Sequence, residues 1–494
     1  MSFDNSQYDV VLVHPPAEIV LEIYDLPDFP NIGIAYIGNY LQKSTGITPA
    51  LIDAKFSRLS LGETVDQIVK LQPKVLGLGA MTPMVTSAMK VLTGVKRALP
   101  EVKTVLGGIH ATFLPERSLD EFSVIDYIVV GEGEMAFGEL CQNILDGDNT
   151  DKIPGVWSRS GSGVIDNGSG ITPNTLDELG EPGWHLYDSD EISKYCRSLP
   201  VMGQRGCPFS CTFCSRPYGQ LVRKRTPSLI ADEIEANSRK YGVEKFHFYD
   251  ETFSVDKKHI SRLCLDLTKR KFPVPFAWTC TVHANTLDQE LADLMKFSGC
   301  VFTGYGVETG DEDIMAQMNK GVTKEGILRA RAILRKAGIT TSAYFMLGHP
   351  NESRMSILRT ILFAVRLNPD IAAIGIMVPY PGTEIWNLAQ NGESGYMKLS
   401  ENWADYNKQL GNAVQLKNIS RREIEIFQLV GYASIYFFNF RFKDMFKIIQ
   451  ENTNLLISVI AKIILPNSLA QKFVLFRNDG GRVWKEKQKK SWGL

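Results

Sequence analysis

Short β-branched runs alternate with helix-length amphipathic segments twice along this chain, once before residue 147 and again from residue 193. Such alternation implies parallel strands joined by right-handed helical crossovers. The sequence therefore predicts an α/β protein: an N-terminal doubly wound, Rossmann-like domain over residues 1–147, a partial (β/α)6 barrel over 193–386, and a mostly helical C-terminal domain over 387–494. Two changes of texture set those limits. Residues 148–192 are rich in Gly, Ser, Asn and Asp, as linkers are, and residues beyond 387 keep helical spacing without strands. With 44% hydrophobic and 22% charged residues among 494, the chain can bury large cores, which excludes a disordered or collagenous protein.

In the first domain the strand-like runs are Tyr8 to His14, Val75 to Ala80, Lys103 to Gly107 and Asp126 to Val130. Apolar spacings of three and four mark helices at Ile34 to Leu41, Leu61 to Leu71 and Val85 to Leu99, giving a sheet of about five strands. Ligands of such sheets lie outside the carboxyl ends of the strands. The loops expected there are Thr82-Pro83-Met84, Gly107 to Phe113 (GGIHATF) and Gly131 to Glu134 (GEGE). Their glycines let the backbone approach a large flat or phosphate-bearing ligand, although ordinary turn chemistry accounts for them equally well on residue types alone.

A small hairpin is expected near Val156-Trp157 within the linker. Barrel strands are expected at Leu199 to Gln204, Lys245 to Tyr249, Phe276 to Cys280, Val301 to Tyr305, Thr341 to Met346 and Ile371 to Val378. Helices between them include Pro227 to Lys240, Lys257 to Arg270, Asp288 to Phe297 and Lys324 to Ala337. These units occupy fewer residues than the about 250 of an eight-unit barrel, so the barrel is read as partial and open.

Eight cysteines in a chain this long do not make a disulfide scaffold, and the N-terminal MSFDNSQYDVVLVHPP lacks the pattern of a signal peptide. The expected setting is a reducing cytoplasm. Cys207, Cys211 and Cys214 stand in GCPFSCTFC, spaced C-x-x-x-C-x-x-C, at the end of the first barrel strand. Three thiolates on one loop can hold three irons of a 4Fe–4S cube and leave the fourth iron open to a ligand. The alternatives are a zinc site completed by Cys196, although zinc usually takes two C-x-x-C pairs, or three packing thiols.

At these residues the sequence resembles the radical S-adenosylmethionine (SAM) superfamily, down to the lead-in Arg205 to Pro208 (RGCP) and the aromatic Phe213 before the third cysteine. The resemblance implies a partial (β/α)6 barrel in which Cys207, Cys211 and Cys214 carry a cluster that binds and cleaves SAM. It also places Phe213 beside SAM, Tyr249, Asp250 and Thr252 of YDETF near its amino group, and Glu308 of GYGVET at its ribose. Met346 and Gly348 of FMLGHP would lie near the adenine, and Pro379 to Glu384 (PYPGTE) would form the last loop. The N-terminal domain resembles the cobalamin-binding domain of the cobalamin-dependent branch. That adds Thr82, Gly107, Gly108, His110, Thr112, Glu132, Gly133 and Glu134 as cobalamin contacts. One departure stands out. Some cobalamin proteins ligate cobalt through the His of D-x-H-x-x-G, and His110 has no Asp two residues before it.

The resemblance implies a C-methyltransferase. One SAM methylates cob(I)alamin, a second yields a 5′-deoxyadenosyl radical, and the substrate radical takes the methyl group from methylcobalamin. Other members of the branch cyclise or rearrange substrates without methyl transfer, and a domain that has lost cobalamin is a further alternative. Methylthio transfer to tRNA is disfavoured: only Cys141 precedes Cys196, and 54 Lys+Arg against 55 Asp+Glu leaves a net charge of -1, without the basic excess of nucleic-acid binders. A non-catalytic cobalamin sensor would not need the cysteine loop.

The expected partners are a small-molecule substrate, apolar in the manner of a lipid, polyketide or tetrapyrrole, and a reductant such as flavodoxin or ferredoxin. The C-terminal helices expected at Arg421 to Ser434 and Asp444 to Ile464 would cover the open side of the barrel. Trp403, Tyr406, Tyr432, Tyr436 and Phe440 are candidates for its mouth, with plain packing the simpler account of each. The apolar runs Ser434 to Phe440 and Leu455 to Leu465 fall short of the ~20 residues of a membrane span. They suit core helices or, with the basic Lys485 to Lys490, a peripheral membrane contact.

Overall fold

A computed structural model describes residues 8–16, 29–161, 163–407, 412–451 and 457. The basic run Lys485 to Lys490, and Leu455 to Leu465 apart from Ile457, lie outside the described residues.

The N-terminal sheet holds β1 (Val10–His14), β2 (Ala50–Asp53), β3 (Val75–Gly79), β4 (Lys103–Gly107) and β5 (Tyr127–Val129). These five strands are parallel, in the order β2-β1-β3-β4-β5. β2 escapes the sequence reading because four residues show no period. Connecting helices are stopped and started by local chemistry. The helix Leu61–Leu71 begins in a Ser60/Glu63 capping box, and Ile32–Thr45 begins under the Asn31 side chain and ends at Gly46 with φ 77°. The strand order reverses between β1 and β3, which opens a crevice at their carboxyl ends.

The stretch expected to be a linker is instead bound down. β6 (Val156–Ser160) pairs antiparallel with β5, and β7 (Gly163–Ile165) with β6, extending the sheet to seven strands. Leu176, Leu179, Trp184 and Tyr187 beyond the hairpin are buried. These apolar anchors are too widely and irregularly spaced to show as a pattern among polar turn residues.

The second sheet is a partial barrel of six parallel strands: β8 (Leu199–Val201), then, after the short antiparallel pair β9 (Gln204–Arg205) and β10 (Arg223–Lys224), β11 (Lys245–Phe248), β12 (Ala277–Val282), β13 (Cys300–Glu308), β14 (Thr340–Leu347) and β15 (Ile371–Ile376). They run in sequential order, β8 at one edge and β15 at the other. The strand expected to reach Gln204 stops at Val201, since Gln204 belongs to the β9/β10 pair.

The C-terminal part adds an antiparallel hairpin, β16 (Tyr396–Leu399) with β17 (Val414–Leu416), and helices Arg421–Phe438 and Phe442–Glu451. The first of these helices covers the open edge of β15. Ile374 N–H donates to the Tyr432 hydroxyl at 2.9 Å, and Gln428 Nε2 donates to Ile374 O at 2.6 Å. A sheet edge is a row of unpaired backbone groups, and these two side chains occupy part of it. Tyr432 thus serves the edge. Tyr436 and Phe440 lie toward Arg441, which binds Pro369 O and Asp370 O just ahead of β15, at the end of the barrel opposite its mouth. Trp403 and Tyr406 pack against the N-terminal domain. Tyr436 and Phe440 therefore lie away from the carboxyl-end mouth, and Trp403 and Tyr406 pack on each other, with Trp403 edge-on to His110.

Candidate active site

Beyond β8 the chain turns into β9, and the cysteine loop hangs between β9 and β10. Cys207 N–H donates to Gly219 O at 3.1 Å, Thr212 N–H donates to Met318 O at 3.0 Å, and Ile385 N–H donates to Thr212 O at 3.2 Å. Phe209 stacks on His283 with ring centroids 3.7 Å apart. Gly206 has φ 101°, and a Cβ there would strike the Leu221 carbonyl, so the position before Cys207 requires glycine. All three thiols are half-buried. Burial pushes the Cys211 thiol up to about 11, Lys320 opposes that, and Cys214 and Cys207 add to it; burial also raises Cys214. Cys211 therefore feels both of the other sulfurs. Among the described residues no three His, Cys, Asp or Glu side chains converge on one metal ion. A cube makes no such demand, because each thiolate binds its own iron, and the donor set fits it.

The loop after β11 brings the next predicted residues to the cysteines. Thr252 Oγ1 lies 3.5 Å from Cys207 Sγ. Asp250 is buried, and its Oδ1 accepts from Gly203 N–H at 2.7 Å and Gln204 N–H at 3.2 Å. Asp250 Oδ2 and Glu251 Oε2 are buried without a hydrogen-bond partner. Burial pushes each carboxyl up to about 7. Two carboxyl oxygens awaiting a donor beside the cysteine loop fit the ammonium group of SAM. Tyr249 is more exposed, with its ring edge-on to His247 at 5.2 Å.

Across the barrel, Glu308 ends β13 with φ 65° and is buried. Its Oε1 accepts from Lys320 Nζ at 2.5 Å, and the same ammonium reaches Gly306 O at 2.8 Å and lies 5.9 Å from the Phe213 ring centroid. A Cβ on Gly306 would collide with Glu308 and Lys320, and one on Gly304 with the Tyr344 hydroxyl, so these glycines make room inside the barrel. Met346 and Phe213 pack against the same apolar cluster, which includes Met377 and Ile385. Gly348, with φ 95°, donates its N–H to Glu352. Lys320 and Glu251 belong beside the predicted set; the Asn319-Lys320-Gly321 turn, with positive φ at both flanking residues, was the available signal for the lysine.

The N-terminal loops divide. Gly107 closes β4, and a Cβ there would meet one atom, at 3.9 Å. One on Gly79, at the end of β3, would meet nothing within 4 Å, and one on Gly131 would meet a single atom at 4.0 Å. Among the described residues the space beside these three glycines, at the carboxyl ends of β3, β4 and β5, is open, and such a surface fits a large flat cofactor. Gly108 has φ 90°, and a Cβ would lie 2.7 Å from Ala80 O, which fixes the turn. Thr112 Oγ1 accepts from Gly131 N–H at 3.0 Å and ties two of these loops together.

The other predicted residues have partners within the protein. His110 is buried, its Nδ1 3.3 Å from Thr82 Oγ1 and its ring edge-on to Trp403 at 4.6 Å, and burial lowers its pKa to about 4. Glu132 and Glu134, expected at the cobalamin, form ion pairs. Arg205 Nη1 binds Glu132 Oε2 at 2.5 Å, Arg205 Nη2 binds Glu134 Oε1 at 2.5 Å, and Arg223 binds the other oxygen of Glu132. Gly133 starts the helix Gly133–Asp146 against Ile37. The guanidinium of Arg205 also lies over Tyr36 at 5.2 Å and Tyr218 at 5.0 Å. Burial opposes its charge, but Glu134, Tyr218 and Glu132 outweigh burial and hold the pKa well above the ordinary range. The residue two places before Cys207 thus clamps the barrel to the N-terminal domain.

Comparison with known proteins agrees with this geometry. The B12 binding domain family matches residues 24–141, and the radical SAM superfamily matches residues 201–364. An uncharacterized methyltransferase of Pyrococcus horikoshii is 28% identical over 432 residues, covering 86% of this chain and 92% of the relative. An anaerobic magnesium-protoporphyrin IX monomethyl ester cyclase of Rubrivivax gelatinosus is 30% identical over 368 residues, 73% of this chain and 66% of the relative. The solved structure of OxsB, a cobalamin-dependent SAM radical enzyme with aqua-cobalamin and SAM bound, superposes with a TM-score of 0.71 at 16% identity. The match covers 96% of this chain and 71% of OxsB. The chain belongs to the cobalamin-dependent branch of the radical SAM enzymes.

Proposed function

We propose that this enzyme transfers a methyl group to an unactivated carbon of a small, apolar substrate. The observation that carries the proposal is the placement of His110. Its ring is buried against Trp403, and its Nδ1 lies 3.3 Å from Thr82 Oγ1. This packing supports a site that would hold cobalamin without His110 as a ligand, an arrangement that would suit the supply of a methyl group. When bound, the cluster and SAM supply a 5′-deoxyadenosyl radical, and cobalamin supplies the methyl group. The chain's own part is placement. Cys207, Cys211 and Cys214 hold the cluster. Asp250 and Glu251 take the ammonium of SAM, with Thr252 beside the cluster loop. Glu308 faces the ribose once it exchanges Lys320 for a hydroxyl, and Met346 and Gly348 flank the adenine. Residues 1–147, with the hairpin that extends their sheet, hold cobalamin; 193–386 hold the cluster and SAM; 387–494 close the assembly.

The cyclase relative favours a second reading, ring closure without methyl transfer, and tetrapyrroles as one substrate class. The expected partners are a reductant such as flavodoxin or ferredoxin and no nucleic acid, in an oxygen-poor cytoplasm. Among the described residues no helix is long and apolar enough to cross a membrane. The test is anaerobic turnover of the reconstituted chain with methyl-labelled SAM, a reductant and an organic extract of pigments and lipids. Methyl transfer predicts label in an extractable product, abolished by Cys207→Ala. Formation of 5′-deoxyadenosine with no labelled product would refute methyl transfer and leave the cyclase reading.

A further inference from the structure

The end of the molecule away from the cysteine loop carries an apolar face that the chemistry does not use. Phe437, Phe438, Phe440, Phe442, Phe446 and Ile449 are all exposed, Phe440 at 83% and Phe438 at 64%. Their rings touch one another: Phe437 lies 5.5 Å from Phe438 and 5.8 Å from Phe442, and Phe440 lies 6.4 Å from Phe442. Burial of such rings is worth enough that a contiguous exposed set marks an interaction surface. On the helix Phe442–Glu451 the residues Phe442, Phe446 and Ile449 recur at spacings of four and three and form one stripe, with exposed Lys443 and Lys447 beside it.

Charge identifies the occupant. From residue 442 to 494 the sequence has ten Lys and Arg against four Asp and Glu, while the chain as a whole has 54 against 55. Aromatic residues on one helix face, flanked by lysines and set in a basic stretch, match the interfacial zone of an anionic bilayer, where rings enter the acyl boundary and ammonium groups meet headgroup phosphates.

We propose that this face docks the enzyme peripherally on an anionic membrane surface. Arg441 fixes its orientation, binding Pro369 O and Asp370 O at 2.6 Å each, immediately before β15. Because the barrel strands are parallel, the docking face lies at their amino ends and the cysteine loop at their carboxyl ends. The mouth then points away from the bilayer, and docking separates from catalysis, whichever reaction the mouth performs.

The test uses the full reconstituted chain, sedimented with vesicles of phosphatidylglycerol and phosphatidylcholine in equal parts, and with phosphatidylcholine alone. Docking predicts sedimentation with the anionic vesicles only, reversed by salt. Each of Phe440→Ser and Phe446→Ser should lower the partition about tenfold or more. Lys443→Glu should weaken it on anionic vesicles. The Phe variants should keep the cluster absorbance and the rate of 5′-deoxyadenosine formation, which shows that they fold. A chain that stays in the supernatant with anionic vesicles, or binds equally well without the two rings, would overturn the proposal. So would a dimer abolished by the same substitutions, because it would assign the face to a second copy.

Discussion

Arg205 is the place to perturb the contact between the two domains. Its guanidinium binds Glu132 and Glu134 at 2.5 Å each, touches Met202 Sδ at 3.1 Å, and lies between the rings of Tyr36 and Tyr218. Arg205→Met keeps the apolar stem and removes the charge. Glu132 retains Arg223, whereas Glu134, its side chain 6% exposed, loses its cation. Removing one partner of a buried pair costs about 3–5 kcal/mol. At about 1.4 kcal/mol per tenfold, local opening should become about two to three and a half orders of magnitude more frequent. Hydrogen exchange reads this directly at the Cys207 amide, bonded to Gly219 O, and in the helix Gly133–Asp146. Both sites should exchange faster together, while the far strand β2 stays unchanged. Arg205→Met combined with Glu134→Leu should cost less than Arg205→Met alone, because no charge is orphaned. An exchange rate within about threefold of the parent at both sites would refute the clamp.

Gly108→Ala should abolish cobalamin retention, followed by visible absorbance, and leave the cluster absorbance of the barrel intact. The new Cβ would lie 2.7 Å from Ala80 O and 2.8 Å from Ala80 N, backbone atoms that cannot move aside; retention at the parent level would sink this. The pH dependence of stability should carry the signature of Glu352, whose carboxyl burial raises from 4.5 to about 7 against the pull of the Gly348 and His349 N–H groups. Such a group binds its proton more tightly in the folded state. Its contribution is complete below about pH 4.5 and is lost as pH rises through about 7, so the melting temperature should fall across that window. Glu352→Gln cannot titrate and should flatten the fall; identical slopes would contradict the assignment.

Sequence legibility followed the range of the interactions. The strands β3 and β4 announce themselves as short runs buried over consecutive residues, and β11, β12 and β15 as strands of alternating burial. The stretch from 148 to 192 was read as a linker because Leu176, Trp184 and Tyr187 find their burial in other elements. The ion pairs of Glu132 and Glu134 could not be read from their loop, since nothing local reveals a guanidinium seventy residues away.

The enzyme family was legible in local sequence. The C-x-x-x-C-x-x-C spacing is a local object, and eight consecutive residues from Cys207 to Cys214 carry the three candidate ligands. The alternation of strand and helix likewise determined the two α/β units, because each crossover is closed by neighbours in sequence. Which charges meet was set by long-range packing. It paired Lys320 with Glu308, tied Arg205 to both glutamates of the N-terminal loop, turned His110 into the interior against Trp403, and sent the aromatic residues after Tyr436 to the far end of the barrel. The reason is that a buried charge or an imidazole takes its partner from whatever packing brings within about 3 Å, and that distance has no counterpart in sequence separation.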